Sequence, residues 1–208
     1  IAQKGKKMIV SVGAAYLSEV DEAIRAIMET GNNDIAILHC VLSYPTSPKD
    51  ANLKVIQTLK RTFPDVQIGY SDHVAPDENM QTLATAYFLG AEIIEKHFTL
   101  DKSLTGNDHY HSGDPSDFKK AVANFKWVDQ VLGSGNKTVL DCELVPRKEA
   151  RRSLVLTRDM KAGEVIEKTD IMPKRPGTGI SPDFAQIVIG RKVLQDLQED
   201  TILTWNMI

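Results

Sequence analysis

The residues most able to do chemistry cluster where apolar runs end. Val66-Gln67-Ile68-Gly69 breaks into Tyr70-Ser71-Asp72-His73, and Ala91-Glu92-Ile93-Ile94 breaks into Glu95-Lys96-His97. If both runs are strands, alternate residues share a side, so Ser71 lies with His73 and Glu95 with His97. Consecutive strands of a parallel βα array are usually neighbours, which would bring the two imidazoles within reach of one ion. Two neutral imidazoles with open positions suit Mn²⁺, Zn²⁺, Co²⁺ or Fe²⁺ acting as a Lewis acid. The bland alternative is two histidines that only hydrogen-bond at strand ends. Glu95 is either a general base, a partner of a metal ligand, or half of an ion pair with Lys96. Ser11, at the end of the run Met8-Ile9-Val10-Ser11-Val12, could hold a phosphate or carboxylate oxygen. His39 ends another run beside Cys40, and a satisfied core or rim histidine is at least as good a reading as a catalytic one. The segment Thr105 to His111 should overhang the site, with Asp108 and His109 suited to a polyol's hydroxyls; its two histidines admit a second metal, although solvated loop residues are the commoner reading.

The elements that must position these groups repeat. From residue 8 to about 132 a short apolar run, a turn and a helical stripe recur four times. The first helix is expected to open at Ser18, with Asp21 as an acidic capping-box partner, and to stop at Gly31-Asn32. The second carries Leu53, Ile56 and Leu59 and ends before Pro64. The third carries Met80, Leu83, Ala84, Tyr87 and Phe88 and closes at Gly90. The fourth opens at Asp114-Pro115 and carries Phe118, Val122, Phe125 and Leu132. Continuous apolar strands alternating with helices imply an α/β fold with a parallel sheet, either doubly wound or a barrel. No Gly-x-Gly-x-x-Gly follows a strand, and polar residues sit at every strand's carboxyl end, which favours the barrel. Four βα units make half of one. Residues 133–150 read as a linker, and 151–208 as a small, mostly β domain with short strands at 152–156, 165–166 and 187–190.

Composition sets the outer limits. The chain has 208 residues, 42% hydrophobic and 25% charged, which is ordinary for a folded globular protein. Its formal charge of -3 gives no basic field to gather nucleic acid or an acidic membrane. No apolar run approaches the roughly 18 residues of a membrane span. Two cysteines, Cys40 and Cys142, are too few for a disulfide framework and fit a reducing cytoplasm.

Several strings in one order resemble the sialic acid synthase family: His39-Cys40 with Tyr44-Pro45-Thr46, Gly69 to His73, Glu95 to Asp101, and Gly106-Asn107-Asp108-His109. Arg152-Ser153-Leu154 and Lys174 to Ile180 resemble that family's antifreeze-like, or SAF, domain. The resemblance implies the C-terminal half of a TIM (β/α)8 barrel over 1–132, the linker 133–150, and a SAF domain over 151–208. It implies condensation of phosphoenolpyruvate with an N-acetylated amino sugar, N-acetylmannosamine or a relative, to a nine-carbon 2-keto acid and phosphate. His73 and His97 would hold the metal, Mn²⁺ ahead of Mg²⁺ or Co²⁺, with Glu95 beside the reacting centre. Ser11 and Ser71 match phosphoenolpyruvate positions, and Tyr44 and Asp108 match sugar positions. Arg175 matches the SAF residue that reaches the N-acetyl group across a domain-swapped homodimer. Leu42, Val12 and Asn107 depart from the family's usual residues, and the family's first four strands have no counterpart here. The chain, which begins without Met, is accordingly expected to be a fragment, inactive by itself. Two other functions fit the same residues: a non-catalytic carbohydrate-binding protein using the SAF domain, and another metal-dependent aldolase.

Overall fold

The computed structural model describes residues 1–106 and 108–208. Asn107, one of the departures noted above, lies outside the described residues. The chain forms two compact units, Ile1–Gly135 and Asn136–Ile208.

The first unit alternates strand and helix: β1 (Met8–Ser11), α1 (Leu17–Met28), β2 (Ile35–Cys40), α2 (Lys54–Thr62), β3 (Gln67–Asp72), α3 (Gln81–Phe88), β4 (Ile94–Lys96) and α4 (Pro115–Leu132). The four strands pair in parallel in the order β1-β2-β3-β4. A doubly wound sheet reverses its strand order and covers both faces. Here the order never reverses, and right-handed crossovers then put every helix on one face. The sheet is curled as half of a (β/α)8 barrel.

Strand parity sorts the side chains. Ile35, Ile37, Ile68 and Tyr70 join Val20, Ile24, Ile56, Leu59, Leu83 and Ala121 in one buried core, so odd positions of β2 and even positions of β3 face the helices. Ser11, Cys40, Ser71 and Glu95 therefore project to the opposite, concave face. Gly69 lies on that face where no side chain fits, since an added Cβ would stand 2.4 Å from both the Ile93 carbonyl oxygen and Leu38 Cδ2.

On the helix-facing side, Asp72 and Lys96 are register partners and form an ion pair with Nζ 2.7 Å from Oδ2, the side chains being 2% and 0% exposed. Their remaining capacity is used locally. Lys96 Nζ donates to the Val74 carbonyl at 2.7 Å, while Asp72 Oδ1 accepts from the Tyr70 hydroxyl at 2.9 Å and the Val74 amide at 3.0 Å. Burial and this carboxylate together push the Tyr70 phenol upward. Two acceptors on Lys96 and three donors on Asp72 offset much of the penalty of burying the two charges, and removal of one partner leaves the other uncompensated.

Helix boundaries follow local chemistry, with one shift. α1 begins ahead of the expected Ser18: the Tyr16 amide donates to Glu19 Oε2 at 2.6 Å, and Asp21 instead pairs with Arg25 one turn on at 2.9 Å. α4 opens as expected, with Asp114 accepting from the Asp117 amide at 2.9 Å and Asp117 accepting from the Asp114 amide at 3.1 Å.

The second unit contains α5 (Leu144–Ala150) inside the stretch expected as linker, then β5 (Ser153–Leu156) antiparallel to β6 (Ile171–Lys174), and the single turn α6 (Ala185–Val188). The strand expected at 187–190 is absent. Pro182 and the Ser181 side chain start a tight turn that runs into α6, and Val188 still reaches the core with Leu154, Leu156, Met160, Ile166, Val193 and Leu203. Gly179 passes so close to Leu203 that an added Cβ would meet its carbonyl oxygen at 2.3 Å. Arg158 forks onto Asp170 through Nε at 2.7 Å and Nη2 at 3.2 Å, holding the buried carboxyl below its ordinary range.

Two outcomes test these contacts. Lys96→Met should destabilise the first unit by about 3–5 kcal/mol in urea denaturation, with Asp72→Asn added in the same chain recovering part of it; a loss below about 1 kcal/mol would show that the pair is not holding the sheet. Asp170 titrates lower folded than unfolded, so its contribution is full above the unfolded value of about 3.9 and fades as pH falls through the folded one. Asp170→Asn should thus lower the second unit's melting temperature at neutral and alkaline pH and flatten its fall on the acid limb, the two proteins converging at low pH.

Candidate active site

The concave face is built in layers by the strand register. Cys40 pairs with Ser71 and Ser71 with Glu95, placing a thiol, a hydroxyl and a carboxylate side by side at the strands' carboxyl ends. Ser71, only 2% exposed, donates its hydroxyl to Glu95 Oε1 at 2.6 Å. Glu95 itself is exposed. The ion pair weighed above for Glu95 and Lys96 does not form, because neighbouring residues of a strand point to opposite faces and Lys96 is taken by Asp72. Asp72, between Ser71 and His73 in sequence, is likewise on the helix side. Burial raises the Cys40 thiol, a direction that disfavours a nucleophilic thiolate.

One residue further, His73 and His97 stand with ring centroids 5.2 Å apart and planes at 81°. His73 is 4% exposed and donates Nδ1–H to the Val41 carbonyl at 2.8 Å, which leaves Nε2 as its only lone-pair nitrogen when neutral. A histidine so oriented through its second nitrogen is the usual arrangement of a metal-ligating imidazole. Tyr44 stacks on His73 at 4.1 Å and lies 6.0 Å from the His97 ring.

The segment after β4 closes over this end of the sheet. The His97 carbonyl accepts from the Gly113 amide at 2.8 Å, and the Gly113 carbonyl accepts from the Thr99 amide at 3.0 Å, so the chain returns to its point of departure. That return sets Asp108 Oδ2 3.4 Å from His97 Nδ1 and the His111 ring 5.1 Å from the His97 ring. Tyr110 ties the segment to the Tyr44 carbonyl at 2.9 Å, and Lys102 pairs with Asp114 and Asp117 at the start of α4. His97, Asp108 and His111 each present a ligand atom, all within 4.8 Å of one another. His111 is not the solvated residue expected from its loop: it is fully buried, and burial, with His97 next to it, lowers its basicity.

The other expected residues are dispersed. Ser11 is exposed at the end of β1, on the concave face. His39 faces the helices, donates Nε2–H to the Ala51 carbonyl at 2.8 Å and has its basicity lowered by burial, which makes it a structural residue. His109 is bonded to Thr99 Oγ1 at 2.7 Å. Arg175 belongs to the second unit, where its Nε donates to the Ala150 carbonyl at 3.1 Å.

Imidazoles, a carboxylate and a hydroxyl thus converge at the strand termini of a half-barrel, and a second, smaller unit follows. The chain belongs to the NeuB family, which its residues 1–137 match, while residues 151–208 match the SAF domain. It is 42% identical over 206 residues to an uncharacterised protein of Methanocaldococcus jannaschii, covering 99% of this chain and 60% of that one. It is 41% identical over 211 residues to the N,N'-diacetyllegionaminic acid synthase of Legionella pneumophila, covering 100% of this chain and 58% of that one. The crystal structure of the spore coat polysaccharide biosynthesis protein SpsE from Bacillus subtilis superposes with a TM-score of 0.58 at 35% identity, covering 100% of this chain and 62% of that one. The chain thus spans about three-fifths of the length of the relatives it matches.

The hydrogen bonds fix tautomers, and these are measurable. In metal-free protein above the imidazole pKa range, nitrogen NMR should show His73 protonated at Nδ1 and His39 at Nε2. An Nε2–H tautomer for His73 would mean that its lone pair faces Val41 and not the bowl.

Proposed function

We propose that the protein containing this chain condenses phosphoenolpyruvate with an N-acetylated amino sugar, giving a nine-carbon 2-keto sugar acid and phosphate. The observation that supports this most directly is the layered strand end: Ser71 bonded to Glu95, with His73 and His97 directly beyond them. One relative is named for making N,N'-diacetyllegionaminic acid, and the acceptor in this proposal is an N-acetylhexosamine of the N-acetylmannosamine kind.

A divalent metal held by His73 and His97, Mn²⁺ in this proposal with Mg²⁺ or Co²⁺ as alternatives, would supply Lewis-acid polarisation of the open-chain sugar's aldehyde. The donor set fits such an ion: one imidazole is locked through its far nitrogen, and a second ring and a carboxylate stand beside it. The protein's own groups do the rest. Ser11 and Ser71 hold phosphoenolpyruvate oxygens, aiming C3 at the aldehyde carbon. Tyr44 forms an aromatic wall, and Asp108 accepts from the sugar's hydroxyls. As the new C3–carbon bond forms, the aldehyde's π pair moves to its oxygen, which takes a proton from solvent to become a hydroxyl, and C2 becomes electron-poor and takes up water. Glu95, exposed to the bowl and oriented by Ser71, receives the proton of that water, and the tetrahedral adduct then loses phosphate. Arg175 reaches the N-acetyl group of the neighbouring subunit's substrate in a domain-swapped dimer. Reactants and products are small and hydrophilic, and no described helix is long and apolar enough to cross a membrane; the proposal places the reaction in the cytoplasm.

Full-length protein with Mn²⁺ should release phosphate from phosphoenolpyruvate only when an N-acetylhexosamine is present. Glu95→Gln should lower kcat by about 100-fold or more while leaving metal binding unchanged. Phosphate release without sugar would sink the proposal. Reversible cleavage of a product without phosphate would identify an aldolase, and glycan binding without turnover a carbohydrate-binding protein.

A further inference from the structure

His111 is fully buried, and neither of its ring nitrogens has a hydrogen-bond partner among the described residues. Leaving a buried polar group unpaired costs about 1–3 kcal/mol. The other histidines behave differently: His39 is bonded to the Ala51 carbonyl, His73 to the Val41 carbonyl and His109 to Thr99 Oγ1. His97, at 3.4 Å from Asp108, shares His111's position beside that carboxylate. Three rings surround His111, those of Tyr110 at 4.8 Å, His97 at 5.1 Å and Tyr44 at 5.9 Å, and among the described residues none supplies a hydrogen bond to its nitrogens.

We propose that His111, with His97 and Asp108, ligates a divalent transition-metal ion, so that the metal centre of this chain draws on the loop after β4 as well as on the strand ends. The inference deepens the functional reading in that His97 is common to both, but it stands on the ligand atoms lying within 4.8 Å of one another and on the unpaired buried imidazole. Two imidazoles and one carboxylate form a borderline-soft donor set that ranks Co²⁺, Zn²⁺ and Fe²⁺ well above Mg²⁺ or Ca²⁺, whose preferred sites are built of oxygen. The backbone makes the set mutually positioned: the Gly113 amide on the His97 carbonyl fixes the loop's return, and the Asp108 carbonyl accepts both the amide and hydroxyl of Ser112, at 3.1 and 2.6 Å. Asp108 then acts as a ligand as well as a hydroxyl acceptor, and the ion stands between the strand-end imidazole and the loop that covers it.

The test is metal binding, independent of turnover. Full-length protein stripped with chelator is titrated with Co²⁺, following visible absorption and calorimetric heat, in wild type, His111→Phe, Asp108→Asn and His73→Ala. His111→Phe keeps the buried ring without its nitrogens. It should bind Co²⁺ more than about tenfold more weakly, beyond the lower end of what even an outer partner of a ligand contributes, with a changed absorption band. Metal-free His111→Phe should melt no lower than metal-free wild type, and Co²⁺ should raise the melting temperature of wild type more than that of the variant. Asp108→Asn, at an exposed position, should weaken Co²⁺ in the same direction. Co²⁺ affinity and spectrum unchanged by His111→Phe, with loss only in His73→Ala, would overturn the inference and leave the condensation reading standing. A metal-free His111→Phe that fails to fold would also overturn it, by showing that the ring nitrogens are paired in the native protein. Weakened Co²⁺ in both loop variants together with no phosphoenolpyruvate consumption by wild type would support the site and sink the condensation reading instead.

Discussion

The buried pair of Asp72 and Lys96 is the constraint from which the site's geometry follows. Parallel strands have evenly spaced, slanted hydrogen bonds that define register less sharply than a side chain does. A charge pair with no access to water fixes it, because a slip of one residue would turn Lys96 onto the other face and leave both charges unanswered. With Asp72 opposite Lys96, Ser71 must stand opposite Glu95, and His73 and His97 follow beyond them. The pair sits on the face turned to the helices, so it holds the chemistry in place without entering it. Val74 extends the grip past the end of β3, since its amide and carbonyl bond to Asp72 and Lys96 respectively.

This division of labour between two faces of one strand explains the odd composition of the segments 70–73 and 94–97. Each carries polar residues at successive positions, where a simple parallel strand would be apolar throughout. Tyr70, Asp72 and Lys96 satisfy one another on the helix side, while Ser71, His73, Glu95 and His97 face the concave side. Tyr70 belongs to the first set, its ring buried among Ile37, Ile68 and Leu83 and its hydroxyl given to Asp72. Ser71 belongs to the second.

Much of the first unit was legible because period and punctuation agreed. Four apolar runs, each followed by a helical stripe, gave the parallel order, and Asp114-Pro115 gave the start of α4. The strand-end residues stood out for the same reason, as polar breaks in apolar runs. Lys96 is less legible: its parity with Asp72 is in the sequence, but the register that joins them depends on β3 and β4 being neighbours. The burial of His111 is not legible at all, because nothing in the local residues shows that Gly113 returns to pair with the end of β4. The return is a backbone event between residues separated by a long polar stretch, and periodicity carries no trace of it. The early start of α1 and the helical turn at Ala185–Val188 have smaller causes: Glu19 competed with Asp21 for the first turn, and the proline after Ser181 overrode a short β-branched run.

The stitch between His97 and Gly113 has an evolutionary corollary. The described residues between His97 and Gly113 form an excursion whose two ends are fastened to each other at the barrel rim. Its outer portion can therefore lengthen, shorten or change composition without dragging the imidazole at its base.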